Sequence, residues 1–556
     1  MTLPTIFVGQ TILFHLFRGL IYGFFILSQI PLFGTNYYVH PTNGNDDHDG
    51  LSQVLAFRTL QRASKINLQP GDTLFLACGQ RYRGTLNLSG MTGMQDQPIV
   101  ITGMVWANQD NDDPPVIDFK GQPNGILIEN SSFIRLSNLR LTGNGYDKED
   151  PKSSDMRCGI LVMNTKDRMM QQINMADIVI DTVFYENEGF QRGKDEVRTA
   201  NGTQKYGWGI RVINQGKAVI QHVKISNCSI SNVSHTGIKL TGNAKNISEV
   251  DILNNTVTKT GGPGIQMSGV SSVYVAHNTV SHSGSTDDSR KWGRGSGLWT
   301  WGSSQVLIEK NQFLYANGPG DSAGAHIDFN CNAIIVQYNI SAYNAGGFCE
   351  ILGNNYQCAY RYNLSINDGF RIKGVDGAFQ EGKVLWLSGY QGKRKERKGP
   401  VNTYIYNNTI YTDTTMVAKI AIDNTSKGVL IANNVFYLEG GAKTVLGDQY
   451  KPEVSSRRRV KDVFFKNNLF LNPDNWPVES GIRDVAPLYG DPQFVNKGGI
   501  DAQDYVPKNK GLVKNKGIYI PLLPNDTIGL GSALDLKKDL LGRTIQGKPS
   551  LGAIDP

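Results

Sequence analysis

Cysteine is scarce in this chain. Six residues, at positions 78, 158, 228, 331, 349 and 358, are scattered without metal-ligand or small-scaffold spacing. They are expected to be small buried fillers. Charge is also thin, at 19% of residues, and the formal excess of +7 is too mild to call for nucleic acid. The one dense basic run, GKRKERKG at 392–399, reads as a solvated loop. Helical periodicity is missing from the middle of the chain, which excludes a bundle. Long apolar runs are confined to the start, where Arg18 precedes GLIYGFFILSQIPLFG and polar sequence begins at Asn36. Residues 1–34 are therefore read as a signal peptide or an N-terminal anchor, and the protein as secreted, periplasmic or on the cell surface.

Glycine is plentiful, at 62 residues, and it recurs in a pattern. Roughly every 22 to 34 residues the middle of the chain repeats an apolar strand, an Asn, a turn, a Gly and a second short strand. Examples are VDILNNTVTKTGGPGIQMSG, VLIEKNQF…GAHIDFN and IIVQYNISAYNAGGFCEILG. The strands are short and β-branched, so each repeat is one β-coil of a solenoid. Asn255, Asn278, Asn311, Asn339, Asn363, Asn408, Asn434 and Asn468 share one slot, with Cys228 in the same place. Stacked amides hydrogen-bond along such a ladder, and Asn tolerates a left-handed turn. The predicted fold is a single parallel β-helix of about 10 to 13 coils.

The expected divisions are an N-terminal cap with first coils at 35–121, coils with groove-forming insertions at 122–474, and a C-terminal cap at 475–556. AFRTLQRASKI has helical spacing and would close the open end of the solenoid. Asp46, Asp47 and Asp49 suit calcium by residue type, but a turn held by Asx hydrogen bonds is the favoured reading. The YYV…GNDDHDGLS…AFRTLQRA opening, the Asn-centred coils and the GDPQF…DYVP…GAID ending resemble the secreted right-handed β-helix proteins of the pectate-lyase-like superfamily. The resemblance implies a right-handed, carbohydrate-active β-helix. It leaves the reaction open, because that superfamily holds lyases, hydrolases and epimerases.

Chemistry must come from side chains that point out of the coils. In the strand after each Gly, alternate residues are nearly all apolar and face inward: Ile238/Leu240, Ile265/Met267, Leu298/Thr300, Ala325/Ile327, Cys349/Ile351 and Phe370/Ile372. The outward set is then Lys239, Gln266, Trp299 and Trp301, His326 and Asp328, Glu350, and Arg371 and Lys373. Trp299 and Trp301 form an expected sugar platform, with Lys239, Gln266, Arg371 and Lys373 as further substrate contacts. Asp328 and Glu350 are the expected acid–base pair of a glycoside hydrolase, with His326 to relay or orient a proton. Arg371 beside Glu350 would favour its ionised form. Asp321, Asp376 and Glu381 are reserves in the insertions.

Two alternatives stay open. A polysaccharide lyase would use Arg371 or Lys373 as base, with calcium on Asp328 and Glu350. A non-catalytic solenoid would use only the Trp platform. The hydrolase reading requires no cofactor and no metal, and the expected partner is a polysaccharide or its oligomers, bound by a monomer.

Overall fold

A computed structural model describes residues 34–107, 109–146, 156–199, 201–203, 205–445, 460, 462–476 and 483–556. The expected export segment lies outside the described residues, apart from Gly34. Over the rest the chain winds as a parallel β-helix. Twelve strands form one sheet, one strand per coil, running from Leu86–Ser89 and Asn124–Glu129 through Arg157–Asn164, Gly207–Asn214, Ile238–Thr241 and Ile265–Ser268. It continues through Leu298–Trp301, Ala323–Ile327, Gly347–Ile351, Lys383–Leu387 and Ala418–Ile422 to Ala442–Thr444. The other faces of the coils join in a second set of 26 strands. Each strand lies parallel to its counterpart one coil away, as with Ile220↔Ile247 and Ile247↔Val270.

Alternation explains why these short segments stack. Ile238, Leu240, Ile265, Met267, Leu298, Thr300, Ile327 and Ile351 are all fully buried, and the apolar core along the axis is continuous. At roughly 25 cal/mol per Å² of apolar surface, this wall is the main stabilising term of every coil. The six cysteines are all buried and free, as small fillers should be.

The asparagine ladder is present from Asn255 to Asn468. Each Nδ2 donates to the Oδ1 of the next Asn at 2.9–3.0 Å, and Asn468 ends the ladder on Asp484 Oδ2 at 2.7 Å. The left-handed turn residue is not the ladder Asn itself but the residue before it. Asn254, His277, Lys310, Tyr338, Tyr362, Asn407, Asn433 and Asn467 have φ between 52° and 61°. The ladder Asn is selected for its amide, which satisfies buried backbone groups at the bend.

At the N-terminal end, Leu60–Ala63 forms a single helical turn capped by Thr59, and Leu60 and Ala63 enter the core. The acidic cluster beside it is a turn: Asp46 Oδ1 accepts from the N–H groups of Arg58 and Thr59, and Asp49 Oδ1 accepts from Leu51 N–H. At the other end, Leu488–Tyr489 adds a strand to the last coil. The following segment then runs back along the flank, where Phe494, Tyr505, Val513 and Leu551 join Ile366, Tyr411 and Val435 in one buried apolar cluster.

One coil departs from the expected register. Gly347–Ile351 pairs with Lys383–Leu387, not with residues 369–373. Asp368 closes a second ladder by accepting from Asn344 N–H and Nδ2, and Gly369, at φ 85°, then turns the chain outward. Phe370 and Ile372 are consequently 43% and 57% exposed, and Leu385 and Leu387 fill the inward positions instead.

Candidate functional site

The outer face of the twelve-stranded sheet carries one column in register: Arg211, Lys239, Gln266, Trp299, His326, Glu350 and Trp386. Strand neighbours sit roughly 4.8 Å apart, so each side chain of the column stands beside the one on the next coil. The pairing of His326 with Glu350 is as expected from the repeat. Asp328 follows the strand that carries His326, with its N–H on Thr300 O at 2.8 Å. Trp299 Nε1 donates to Asp328 Oδ2 at 2.7 Å, and Phe329 N–H donates to Oδ1 at 2.8 Å. His326 Nδ1 lies 3.0 Å from Ser296 Oγ, and its ring tilts against Trp299 at 5.8 Å.

A third carboxyl joins this pair. Asp321 is bound by Arg294 through Nε to Oδ2 at 2.7 Å and Nη2 to Oδ1 at 3.0 Å. Its backbone is left-handed, with φ 49° followed by 67° at Ser322. That turn is pinned by Gln380 Oε1, which accepts from Asp321 N–H, and by Arg371 Nη1, which donates to Asp321 O at 3.0 Å. Two consecutive left-handed residues are strained and persist only where the surroundings over-determine them. The period of the repeat gives no hint of Asp321, because it lies in an insertion ahead of its strand.

The surroundings push the three carboxyls in different directions. Burial alone would raise Asp321, but the charge and hydrogen bonds of Arg294 outweigh it and hold the group below its ordinary value. Burial pushes Asp328 up to about 7, against the N–H groups of Phe329 and Trp299, with the charge of Asp321 adding to the rise. Glu350 is raised further by burial and then by Asp321 and Asp328, which Lys383 and Arg371 only partly offset. The expectation that Arg371 keeps Glu350 ionised is thus corrected: removal from water and two neighbouring carboxyls win. His326 falls to about 4, chiefly by burial, and is a neutral imidazole at neutral pH.

The expected substrate contacts divide. Trp301 is 39% exposed and meets Phe329 edge-on at 5.8 Å, and Phe329 meets Tyr390 at 5.4 Å, so an aromatic wall borders the carboxyls. Lys239 and Gln266 hold their column positions but are buried, Gln266 against the insertion that carries Asn201. Gln266 Nε2 donates to Asn201 Oδ1 there, and Lys239 faces the Trp208 ring at 6.0 Å. Arg371 and Lys373 do not stand in the column. Arg371 is buried and donates to the carbonyls of Gln380, Gly318 and Asp321, and Lys373 is exposed on the outward loop. In the reserve set, Glu381 is paired with Lys419 at 2.9 Å and Asp376 lines a separate cleft.

Both oxygens of Asp328 and both of Asp321 already accept from protein donors. Among the described residues, no three His, Cys, Asp or Glu converge on a metal-sized site.

Comparison with known proteins places the fold. A family model for the right-handed β-helix region matches residues 208–370. The chain is a right-handed parallel β-helix. Over 625 aligned positions it is 22% identical to a lacto-N-biosidase of Bifidobacterium longum subsp. longum, with 94% of this chain and 36% of that protein covered. The chain thus spans about a third of the length of this curated relative. The crystal structure of GH136 lacto-N-biosidase from Eubacterium ramulus superposes with a TM-score of 0.52 at 17% identity, covering 74% of this chain and 68% of that one.

Proposed function

We propose that this protein is a glycoside hydrolase acting on an oligosaccharide or polysaccharide outside the cytoplasm. The observation that carries the reading is a buried carboxyl cluster beside an exposed Trp, in which Arg294 grips Asp321 through two hydrogen bonds while Asp328 and Glu350 have no cation bonded to them among the described residues and are pushed up by burial. Glycoside hydrolysis needs one carboxyl that bears a proton and one that does not. Asp321 is the group held ionised by Arg294, and it supplies negative charge to an oxocarbenium-like transition state. Asp328 and Glu350 keep a proton between them and deliver it to the leaving oxygen as the glycosidic bond breaks, and a water then adds to the anomeric carbon and returns a proton to the pair. Neutral His326 and Ser296 fix the floor of the site. The similarity to lacto-N-biosidases supports the same reaction class, and the apolar run before residue 34 supports export.

The lyase alternative needs a base and a cation at the carboxylate of a uronate. Arg371 spends its guanidinium on backbone carbonyls and Lys373 lies off the column, so neither is placed for that step.

The test is digestion of a panel of neutral and acidic glycans, followed by both new reducing ends and ultraviolet absorbance of unsaturated product. Reducing ends without unsaturation, insensitive to a calcium chelator, support the hydrolase. Unsaturated product would sink it.

A further inference from the structure

The chain between the strands Lys383–Leu387 and Val401–Tyr406 carries Lys393, Arg394, Lys395, Arg397 and Lys398 against one acid, Glu396. Lys393, Arg394, Lys395 and Lys398 are exposed. On a free loop such a run is a solvated face and no more. This loop is neither free nor remote from the carboxyl cluster.

Its backbone is fixed at both ends. Gly353 N–H donates to Tyr390 O and Asn354 N–H to Lys398 O, each at 2.7 Å, and Lys398 N–H returns to Gly389 O at 2.8 Å. Arg397 Nε donates at 2.9 Å to Oδ2 of Asp423, a buried carboxylate whose Oδ1 accepts from Thr425 N–H and Oγ1. Lys398 Nζ donates to Tyr356 Oη. Arg397 and Lys398 are thus anchors. Between them and Tyr390 the chain turns through Gly392, whose carbonyl accepts from Lys395 N–H, and through Arg394 at φ 63°, a left-handed conformation uncommon outside glycine. Among the described residues no carboxylate lies within ion-pair distance of Lys393, Arg394 or Lys395. Like charges held together repel one another, and an anion settling among them relieves that repulsion.

The loop also meets the aromatic wall. Trp301, Phe329 and Tyr390 follow one another edge-on at 5.8 and 5.4 Å, and a Cβ on Gly392 would lie 3.9 Å from the Phe329 ring. Phe329 is itself the residue after Asp328 and donates its N–H to that carboxyl. A glycan seated on the carboxyls and lying along this wall reaches the basic loop. The rings offer stacking area to any sugar, whereas the cations discriminate by charge.

We infer that residues 393–395 form a subsite for acidic groups: the glycan bound at the carboxyl cluster bears carboxylates or sulfates on the part that extends along the Trp301–Phe329–Tyr390 wall. The inference deepens the hydrolase reading and rests on it for the ligand class, but its test reads binding alone.

The experiment is fluorescence anisotropy of end-labelled oligomers with the full chain, in the cold and at low salt. The probes are an unsulfated galactan, a sulfated galactan, an oligogalacturonate and, as an unrelated polyanion, a single-stranded oligonucleotide. Wild type is compared with the triple variant Lys393→Gln, Arg394→Gln, Lys395→Gln. An equally discharged control is Lys508→Gln, Lys510→Gln, Lys514→Gln, at exposed positions of the C-terminal segment. The expected result is tighter binding of the sulfated or the uronate oligomer than of the neutral galactan, and which of the two binds tells sulfate from carboxylate. The loop variant should weaken that binding about fivefold or more and leave the neutral oligomer unchanged, while the control triple changes neither. Trp301→Ala should weaken neutral and acidic oligomers alike. No preference for either acidic oligomer in wild type would overturn the inference, as would equal losses in the two triple variants, which net charge alone explains. So would an oligonucleotide bound as tightly as the acidic glycan, or acidic binding indifferent to Trp301→Ala. A loop-dependent acidic preference without any hydrolysis would sink the hydrolase reading and leave the subsite standing, and hydrolysis without that preference would do the reverse.

Discussion

At the residue scale, the site is an arrangement in which neighbours set protonation. Asp321→Asn and Asp328→Asn should each lower kcat by roughly 10²–10⁴-fold with KM little changed, since each removes a charge or proton used in the transition state. Steady-state kinetics on whichever glycan the panel yields checks this, and near-full activity in both variants would exclude the carboxyl mechanism. Trp301→Ala should instead raise KM, because the ring contributes stacking area and no proton. Glu350 carries a stability signature as well. Its folded pKa lies above the ordinary carboxyl value, so the protonated form favours the fold at low pH. That contribution is lost as pH rises from near 4 through the raised value. Glu350→Gln should therefore melt higher than wild type at pH 8 and no higher at pH 4, by thermal denaturation in two buffers. A wild-type melting curve that is flat across this range would contradict the placement of Glu350.

At the scale of single elements, the polar ladder and the Asp321 turn do most to set geometry. Asn339 and Asn363 are buried, with donors and acceptors shared between coils. Asn339→Ala leaves buried partners unmade and should cost about 1–3 kcal/mol in chemical denaturation. A surface substitution such as Lys224→Ala, on the exposed side of its strand, should stay within about 0.5 kcal/mol. Equal effects would deny the ladder any special role. The ladder was legible in the repeat because its slot recurs from coil to coil. The Asp321 turn was not, since its partners Arg294, Gln380 and Arg371 come from excursions off the coils. Period-2 alternation in GFRIKG also misled, because an outward loop beginning at Gly369 can imitate a strand whose apolar residues then meet water.

At the scale of the whole molecule, the chain after residue 483 acts as an outer layer. Ile520, Leu523 and Leu530 pack on Tyr362, Tyr404, Tyr406 and Leu430, side chains that point away from the solenoid core. Tyr404 Oη donates to Asp526 Oδ2 at 2.5 Å, which ties the layer to its coil. Ending the chain at residue 483 should uncover this aromatic patch and cause aggregation or binding of a hydrophobic dye, read by light scattering and fluorescence. A monodisperse, dye-silent truncation would show that the layer is dispensable.

The sequence by itself determined the stacked coils and the inward wall from Ile238 to Ile351, because each depends on a local period that repeats where the chain must pack on itself. It also determined the column from Lys239 to Glu350, since strand alternation is strict and a register slip would bury a carboxyl. Tertiary structure alone decided the protonation of Asp328 and Glu350, which follows from burial and from charges many residues away. It alone removed Arg371 and Lys373 from the column and brought Asp321 to the cluster. Excursions off the coils obey no period, and their placement is set by side chains that meet only after the solenoid has wound.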